Sequence, residues 1–273
     1  MLIQWLWRVW KWLLRLFTGQ CELERLCYMR LPLHQLALRV ENSLRRSRAL
    51  ELRRLLDGDH TSDNAIDVVL RVKRIKNDAK CMSSLRSSLQ IVVGVAGLVR
   101  EVELLKKDRY NKDNEHHESL LSQLWDHMMP SEKLTSRVSE QWKDLGFQGT
   151  DPATDFRGMG LFGLTCLHHL ASCRGDLARQ LLSHSRHPTL GYPYAIVGID
   201  LASMIWEMLE RRVLYAYLYK TAPPISLQCV MELFCEAMRE FDSLWQTEKP
   251  ENILAYPRVR EKFLIMIREK WTT

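Results

Sequence analysis

The stretch WKDLGFQGTDPATDFRGMGLFGL, residues 142–164, contains the strongest break in an otherwise helical sequence pattern. Gly146 and the Asp151-Pro152 pair rule out a continuous helix and favour turns. The apolar spacing resumes after these turns, so a new helix is predicted to begin near Gly158. The stretch therefore predicts a loop that lies between two apolar helices.

This predicted loop contains two carboxylates, Asp151 and Asp155, and one guanidinium, Arg157. Charged side chains on a loop between rigid elements commonly take part in binding or catalysis. A guanidinium is always charged and has a planar fork that fits phosphate oxygens, which makes Arg157 the candidate for chemistry. The alternative is that Arg157 forms an ion pair with Asp155 or Asp151 and only fixes the loop.

The composition is that of a globular protein, with 46% hydrophobic and 26% charged residues in 273. Such a chain can bury a large core as one domain, or as a domain with appended helices. The net charge of +6 is mild and gives no support for nucleic-acid binding. The cysteines number seven and include no Cys-x-x-Cys, which predicts reduced thiols and excludes a zinc finger.

Residues 1–18 form a predicted amphipathic helix. Its polar side chains follow at spacings of four, three and four residues, so they share one helix face, while tryptophans lie opposite. Since a spanning helix needs about 20 mostly apolar residues, we expect this one to lie on a membrane surface. Packing on the domain core and an integral span are the alternatives. The expected membrane-surface residues are Trp5, Arg8, Trp10, Lys11, Trp12 and Arg15.

The rest of the chain predicts helices and no strand hairpins, so the predicted fold class is all-α. Thr61 and Asn114 precede helical patterns as N-caps. The apolar spacing from Leu227 to Trp245 is the most regular and predicts a core helix. The predicted helices after the first cover residues 21–30, 35–56, 61–76, 82–107, 114–129, 131–142, 158–173, 176–187, 194–219, 227–245 and 258–271.

Metal and nucleotide sites are not predicted. The pairs His116-His117 and His168-His169 are adjacent in sequence, and neighbouring residues point to different helix faces. No H-E-x-x-H pattern occurs, so the first pair is expected at a wet helix terminus and the second at a partly buried position. The chain also lacks a G-x-x-x-x-G-K-[ST] phosphate-binding loop.

Residues 142–164 resemble, nearly letter for letter, the signature of the ELMO-domain family. A second stretch, HPTLGYPYAIVGI at residues 187–199, resembles another specific segment of that family. The resemblance covers most of the chain and is closer to the small ELMO-domain-containing proteins than to the larger ELMO scaffolds. It implies a single, multi-helix ELMO domain.

In the small group, the arginine that matches Arg157 is regarded as a catalytic finger for Arf and Arf-like GTPases. The resemblance therefore implies a GTPase-activating protein, whose partner carries the GTP and magnesium, so that no cofactor of its own is expected. An arginine supplied in this way is worth about 10³–10⁵ in rate in other GTPase systems. The residues read as loop-shaping or partner-binding are Trp142, Phe147, Gln148, Asp151 and Asp155.

The alternative function is a non-catalytic adaptor that binds small GTPases or their regulators, as the larger ELMO proteins do. This chain has no room for a pleckstrin-homology region and no Pro-x-x-Pro tail, which favours the activator. Basic residues such as Arg137, Lys143 and Arg45 could steer an acidic partner or simply form a solvated face.

The expected organisation has three parts: a membrane-surface helix at residues 1–18, an N-terminal helical region at 19–113, and an ELMO core at 114–273 with the loop at 142–164. A cytoplasmic protein, peripheral on an intracellular membrane, is expected. The sequence does not indicate which membrane.

Overall fold

The computed structural model describes residues 17–75 and 78–272. These residues form helices and no strand, which confirms the predicted all-α class. The first 16 residues lie outside the described part of the chain, and with them the predicted membrane-surface side chains.

The described elements are twelve α-helices and three short 3₁₀ helices. The 3₁₀ helices are Glu140–Leu145, Pro152–Gly158 and Ile253–Ala255. The α-helices are α1 (Glu22–Cys27), α2 (Leu33–Arg45), α3 (Leu50–Arg54), α4 (Ser62–Lys73), α5 (Ala79–Lys107), α6 (Glu115–Met128), α7 (Gly160–Cys173), α8 (Gly175–Ser185), α9 (Tyr194–Glu210), α10 (Tyr215–Lys220), α11 (Leu227–Glu248) and α12 (Tyr256–Thr272).

The chain divides into two compact units. The first unit contains the residues up to Arg100 together with Tyr215–Ser226, and the second contains Glu101–Leu214 and the residues from Leu227 onward. Helix α5 supplies residues to each unit, since the division falls between Arg100 and Glu101.

In the first unit, α2 packs against α1 and α10, and α3 packs against α4. The buried Glu41 carboxylate of α2 accepts a hydrogen bond of 2.7 Å from the Tyr219 hydroxyl of α10. Residues 35–56 were predicted as one helix, which is wrong, because α2 ends at Arg45 and α3 begins at Leu50. Between them the Ser47 hydroxyl accepts the Ala49 N–H at 3.2 Å, a local bond that competes with continued helix.

The second unit is built around α7, α9 and α11, which contact one another. Leu164, Ile205 and Phe234, one from each helix, are completely buried. Gly198 of α9 lies so close to α7 that a Cβ would come within 2.5 Å of Leu167 Cδ2. This close contact holds α7 against the core of the unit. The loop lies directly before the N-terminus of α7.

Two other predicted helices differ from the structure. No helix begins at Ser131, and residues 131–139 have an irregular path that leads into the 3₁₀ helix Glu140–Leu145. The predicted helix over residues 194–219 is broken, because α9 ends at Glu210 and Arg212 has a positive φ of 63°. The Asn114 cap is confirmed, since its side chain accepts the His116 N–H at 2.9 Å.

None of the helices in the described ranges combines the length and the apolar character that a membrane span requires. All seven cysteines are free thiols.

Candidate functional site

The loop begins on a buried aromatic anchor. Trp142, in the 3₁₀ helix Glu140–Leu145, is fully buried, and its Nε1 donates a 2.8 Å hydrogen bond to the Arg137 carbonyl. Its ring contacts Trp125 of α6 edge-on, with centroids 5.4 Å apart, and Phe147 at 5.7 Å. Because Trp142 and Phe147 are buried, their contacts lie inside the unit and fix where the loop starts.

The aromatic row continues below the loop. Phe147 contacts Phe156 edge-on at 5.7 Å, and Phe156 stacks on Tyr110 at 6.0 Å. Phe156 lies in the 3₁₀ helix Pro152–Gly158, next to Arg157. The residue before Arg157 is therefore held in the core, and this limits how far the backbone at Arg157 can move.

Arg137 ties the loop to α6. Its Nε donates to Glu118 Oε1 and its Nη1 donates to Asp151 Oδ1, each at 2.8 Å. The guanidinium also lies over the Tyr110 ring, 5.5 Å from the centroid. Burial opposes the charge of Arg137, but the bonds to the two carboxylates outweigh burial and raise its pKa. Arg137 is thus a loop clamp and does not form the solvated or steering face considered from the sequence.

The other two candidate steering residues are also paired. Lys143 forms an ion pair with Glu140, and Arg45 forms one with Glu41 at 2.8 Å.

Asp151 and Asp155 hold the loop backbone. Asp151 Oδ1 accepts the Ala153 N–H at 3.0 Å, which caps the 3₁₀ helix Pro152–Gly158. Asp155 Oδ2 accepts the Gln148 N–H at 3.0 Å and so joins the 3₁₀ helix Pro152–Gly158 to the part of the loop that precedes it. Burial raises the pKa of the half-buried Asp155, and the Gln148 N–H opposes this increase.

Arg157 is exposed at the end of this 3₁₀ helix, three residues before Gly160 begins α7. Its guanidinium makes no hydrogen bond and no ion pair with any residue that the structure describes, and Asp155 attracts it only at longer range. Asp151 is engaged by Arg137 and Asp155 by the Gln148 N–H. Neither carboxylate of the loop therefore lies within ion-pair distance of Arg157, and the structure gives no support to the ion-pair interpretation.

The side chains beside Arg157 leave its surroundings open. Gln148 is exposed, and its amide forms no hydrogen bond within the described ranges. A Cβ added to Gly158 would meet nothing within 4 Å. The exposed part of the loop thus consists of the Arg157 guanidinium, the Gly158 backbone and the Gln148 amide. A partner can approach all three.

The second family-like stretch, residues 187–199, supports the loop from behind. Gly146 has a φ of 79°, and a Cβ there would come within 2.4 Å of the Tyr194 backbone nitrogen. Tyr192 donates a 2.9 Å hydrogen bond to Asp242 of α11, whose other oxygen lies 2.7 Å from His184 Nδ1. This stretch is therefore hydrogen-bonded to α11, and its backbone packs directly against Gly146 near the start of the loop.

Gly160 fixes the other end of the loop. It has a φ of 52°, and a Cβ there would lie 2.4 Å from the Lys106 carbonyl oxygen. The Leu161 N–H donates to the Asp108 carbonyl at 2.9 Å. The start of α7 is thus joined to the end of α5, and the backbone on both sides of Arg157 is restrained.

Metal chemistry finds no support in the described part of the chain, where no cluster of three His, Cys, Asp or Glu side chains could hold an ion. His117 is buried, and its Nδ1 accepts the Asn111 N–H at 3.0 Å. The expected wet helix terminus is therefore wrong for His117, while His116 is exposed as expected.

The network around Arg137 was missed from the sequence. Its partners Glu118 and Asp151 are 19 and 14 residues away. Helical spacing gives no signal at such separations, and a Glu-Arg-Asp arrangement forms only when tertiary structure brings the residues together.

Comparison with known proteins gives consistent matches. The model of the ELMO/CED-12 family matches residues 100–260. ELMO domain-containing protein 2 of Bos taurus is 40% identical over 261 residues, covering 94% of this chain and 89% of the relative. ELMO domain-containing protein 1 of Mus musculus is 37% identical over 279 residues, covering 94% and 86%.

A more distant relative is similar over the same length. ELMO domain-containing protein B of Dictyostelium discoideum is 32% identical over 269 residues, covering 94% of this chain and 92% of the relative. No solved structure matches the chain significantly. The family model spans the loop and its supporting stretch, and the relatives extend over nearly the whole chain. The chain belongs to the ELMO/CED-12 family.

Proposed function

We propose that this chain accelerates GTP hydrolysis on an Arf-family small GTPase by inserting Arg157 into the nucleotide site of that partner. Membership of the family supports a role linked to small GTPases. The finer proposal rests on one observation: Arg157 is exposed and makes no ion pair with any residue that the structure describes, on a loop whose backbone is restrained at both ends.

The chemistry requires little else from this chain. As the bond to the γ-phosphate breaks, negative charge develops on the phosphate oxygens and the leaving oxygen, and a guanidinium placed there stabilises it. The partner would carry the GTP and the magnesium ion, and would position most of the water. A single arginine on a firm support is sufficient for an activator of this kind.

The support for Arg157 matters because an arginine finger acts by arriving preorganised. A flexible loop would lose conformational entropy on insertion, and that loss would reduce the stabilisation of the transition state. Here Phe156 is buried beside Arg157, and the Arg137 clamp holds the preceding turn. We therefore assign Asp151, Asp155 and Arg137 to shaping the loop.

The exposed Gln148 is assigned to contact with the partner. Its backbone N–H is held by Asp155, two residues before Arg157, so the backbone from which its amide extends is restrained. An amide can donate to and accept from a partner backbone, which suits the border of a protein interface. Trp142 and Phe147 would act indirectly, because they are buried.

The membrane part of the proposal rests on residues 1–18. Their tryptophans and cations suit the interface of an anionic bilayer. We propose that this segment places the protein on the cytoplasmic face of an intracellular membrane. A membrane-bound GTPase would then meet the loop at high local concentration.

The test is GTP hydrolysis by a panel of purified Arf and Arf-like GTPases with wild type and with Arg157→Lys. Lysine keeps the charge but lacks the planar fork, so we expect stimulation to fall by about 10³-fold or more. Arg268→Lys, an exposed arginine of α12, is the matched control and should retain full activity.

Circular dichroism and GTPase binding should be unchanged in Arg157→Lys. If wild type stimulates no member of the panel, the catalytic proposal fails, and a chain that still binds a GTPase would be an adaptor. If Arg157→Lys stimulates as well as wild type, Arg157 is not the finger.

A further inference from the structure

The first unit carries an unusual share of the positive charge. It contains 19 Lys and Arg against 9 Asp and Glu, a net charge of +10, whereas the second unit contains 20 against 24, a net charge of −4. The overall charge of +6 therefore conceals two units of opposite sign. A local positive excess of this size attracts anionic surfaces.

Exposed apolar side chains are concentrated in the same unit. Of the twelve large hydrophobic side chains that are exposed in the described residues, half lie between residues 17 and 50. They are Phe17, Tyr28, Met29, Leu33, Leu38 and Leu50. Single exposed leucines are ordinary, but several close together in a short stretch indicate an interaction surface.

Exposed charged and apolar side chains alternate along residues 29–54, and we call this set of exposed residues the Arg–Leu face. On α2, Leu38 and Arg45 are seven residues apart, as are Arg39 and Arg46, so each pair lies on one side of the helix two turns apart. All four are exposed. The face comprises Met29, Arg30, Leu38, Arg39, Arg45, Arg46, Arg48, Leu50, Arg53 and Arg54.

The turn between α2 and α3 holds the densest part of this face. Arg53 Nη1 donates to the Ser47 carbonyl at 3.3 Å, which draws its guanidinium back over the turn. Arg48 and Arg54 are exposed and make no hydrogen bond or ion pair with the residues that the structure describes. Leu50, half exposed, lies between them in sequence. Two unpaired guanidiniums therefore flank an exposed aliphatic side chain.

We propose that the Arg–Leu face binds the surface of a membrane that contains anionic phospholipids. Guanidiniums bind lipid phosphates, while leucine and methionine side chains enter the boundary between headgroups and acyl chains. An anionic membrane satisfies both kinds of side chain. A nucleic acid would use the arginines but leave Leu38 and Leu50 in water, so the lipid surface is the better match.

This face is separate from the predicted contact at residues 1–18. The cations Arg8, Lys11 and Arg15 would add to the attraction, since they have the same sign of charge. The proposal does not depend on GTPase activation, because no residue of the face belongs to the loop at 142–164.

The experiment is co-flotation of the full chain with phosphatidylcholine vesicles, with and without phosphatidylserine, at low and high salt. We expect binding only to the anionic vesicles, weakened by salt. Arg48→Ser/Arg54→Ser should reduce vesicle partitioning by about 30-fold, since each arginine near the surface adds about 1 kcal/mol, which is about fivefold in partitioning. Arg211→Ser/Arg268→Ser, which removes two exposed arginines from the second unit, should bind like wild type.

Residues 1–18 are separated from the face by repeating the comparison in a Trp10→Ser/Trp12→Ser background. The binding that remains should still fall when Arg48 and Arg54 are replaced, and Leu50→Ser should also weaken it. GTP hydrolysis on a soluble partner should be unchanged in the arginine variant.

Three outcomes overturn the proposal. The first is that wild type fails to float with anionic vesicles at low salt. The second is that Arg48→Ser/Arg54→Ser floats like wild type in both backgrounds. The third is that the control pair loses as much binding as Arg48→Ser/Arg54→Ser. The last outcome would mean that net charge, and not this face, causes the binding. Loss of GTP hydrolysis alone would count against the proposed function and leave this inference intact.

Discussion

Residues 142–164 and 187–199 both lie within the part of the chain that matches the family model, but they differ in what their side chains do. In the stretch at 187–199, Tyr192 and Tyr194 are buried, and Tyr192 donates to Asp242. In the loop, Asp151 is bound by Arg137, whereas Arg157 is exposed and makes no ion pair with the residues that the structure describes. The tyrosines of one stretch are used inside the protein, whereas the other stretch exposes a charged group.

This difference separates motif residues that stabilise the fold from an exposed motif residue that is available to a partner. A motif residue whose polar atoms are bonded inside the core is explained by stability. An exposed arginine on a braced backbone is not explained in that way, and the proposed function assigns it to contact with a partner. The comparison predicts that changes in residues 187–199 alter stability, while changes at the tip of the loop alter only activity.

The largest effect on stability is expected for Asp242→Ala. The carboxylate accepts from the Tyr192 hydroxyl at 2.9 Å and lies 2.7 Å from His184 Nδ1. Its removal leaves the buried Tyr192 hydroxyl without a partner and should cost about 3 kcal/mol of unfolding free energy. Urea denaturation measures this, with the exposed Asp126→Ala as the control within about 0.5 kcal/mol of wild type.

A decrease in unfolding free energy below about 1 kcal/mol for Asp242→Ala would contradict this comparison, because the stability of residues 187–199 would not depend on this bond.

A second pair of changes compares two glycines of the loop. Gly146→Ala combines a φ of 79° with a Cβ only 2.4 Å from the Tyr194 nitrogen, and should destabilise the fold by about 2–3 kcal/mol. Gly158→Ala meets nothing within 4 Å and should leave stability within about 0.5 kcal/mol of wild type. Thermal unfolding followed by circular dichroism checks both.

Equal destabilisation by the two alanines would show that the tip of the loop is packed as firmly as its base. That result would remove the distinction between the braced start of the loop and its open end.

The smallest effect concerns Asp155 and pH. Burial raises the pKa of its carboxyl, so the folded state holds this proton more tightly than the unfolded state does. As pH rises from the ordinary carboxyl range of about 4 through the raised pKa, this group therefore lowers stability. In Asp155→Asn the amide oxygen can still accept the Gln148 N–H, so the variant should be as stable as wild type or slightly more stable at neutral pH.

The difference between Asp155→Asn and wild type should shrink as the pH falls through this range. Urea denaturation at several pH values measures it. A variant that is clearly less stable than wild type at neutral pH would show that the charge of Asp155 stabilises the loop.

Much of the fold was predictable because local signals determine it. The Asn114 cap and the apolar spacing of α11 each act within one helix, and both predictions are confirmed. The helix predicted from Ser131 is wrong for a non-local reason. There Trp125 Nε1 donates to the Glu132 carbonyl and Gln141 Nε2 to the Lys133 carbonyl, and these bonds hold the backbone in an irregular path.

The residues of the candidate site were predictable from the sequence, but the hydrogen bonds and ion pairs between them were not. Arg157 stands out in the sequence because turn residues and charges surround it. Whether it is paired depends on where Asp151 and Asp155 find their partners. Asp151 binds Arg137, and Arg137 is placed by Glu118 of α6, so the answer requires tertiary structure.

The most direct test is the affinity of the chain for a responsive GTPase loaded either with GDP and aluminium fluoride, which mimics the transition state, or with a non-hydrolysable GTP analogue. A catalytic finger stabilises the transition state more than the ground state. The account predicts that wild type binds the aluminium-fluoride complex much more tightly, and that Arg157→Ala loses this preference but keeps its affinity for the GTP-analogue form. If wild type binds the two forms equally, or if Arg157→Ala keeps the preference, the claim that Arg157 is a catalytic finger is contradicted.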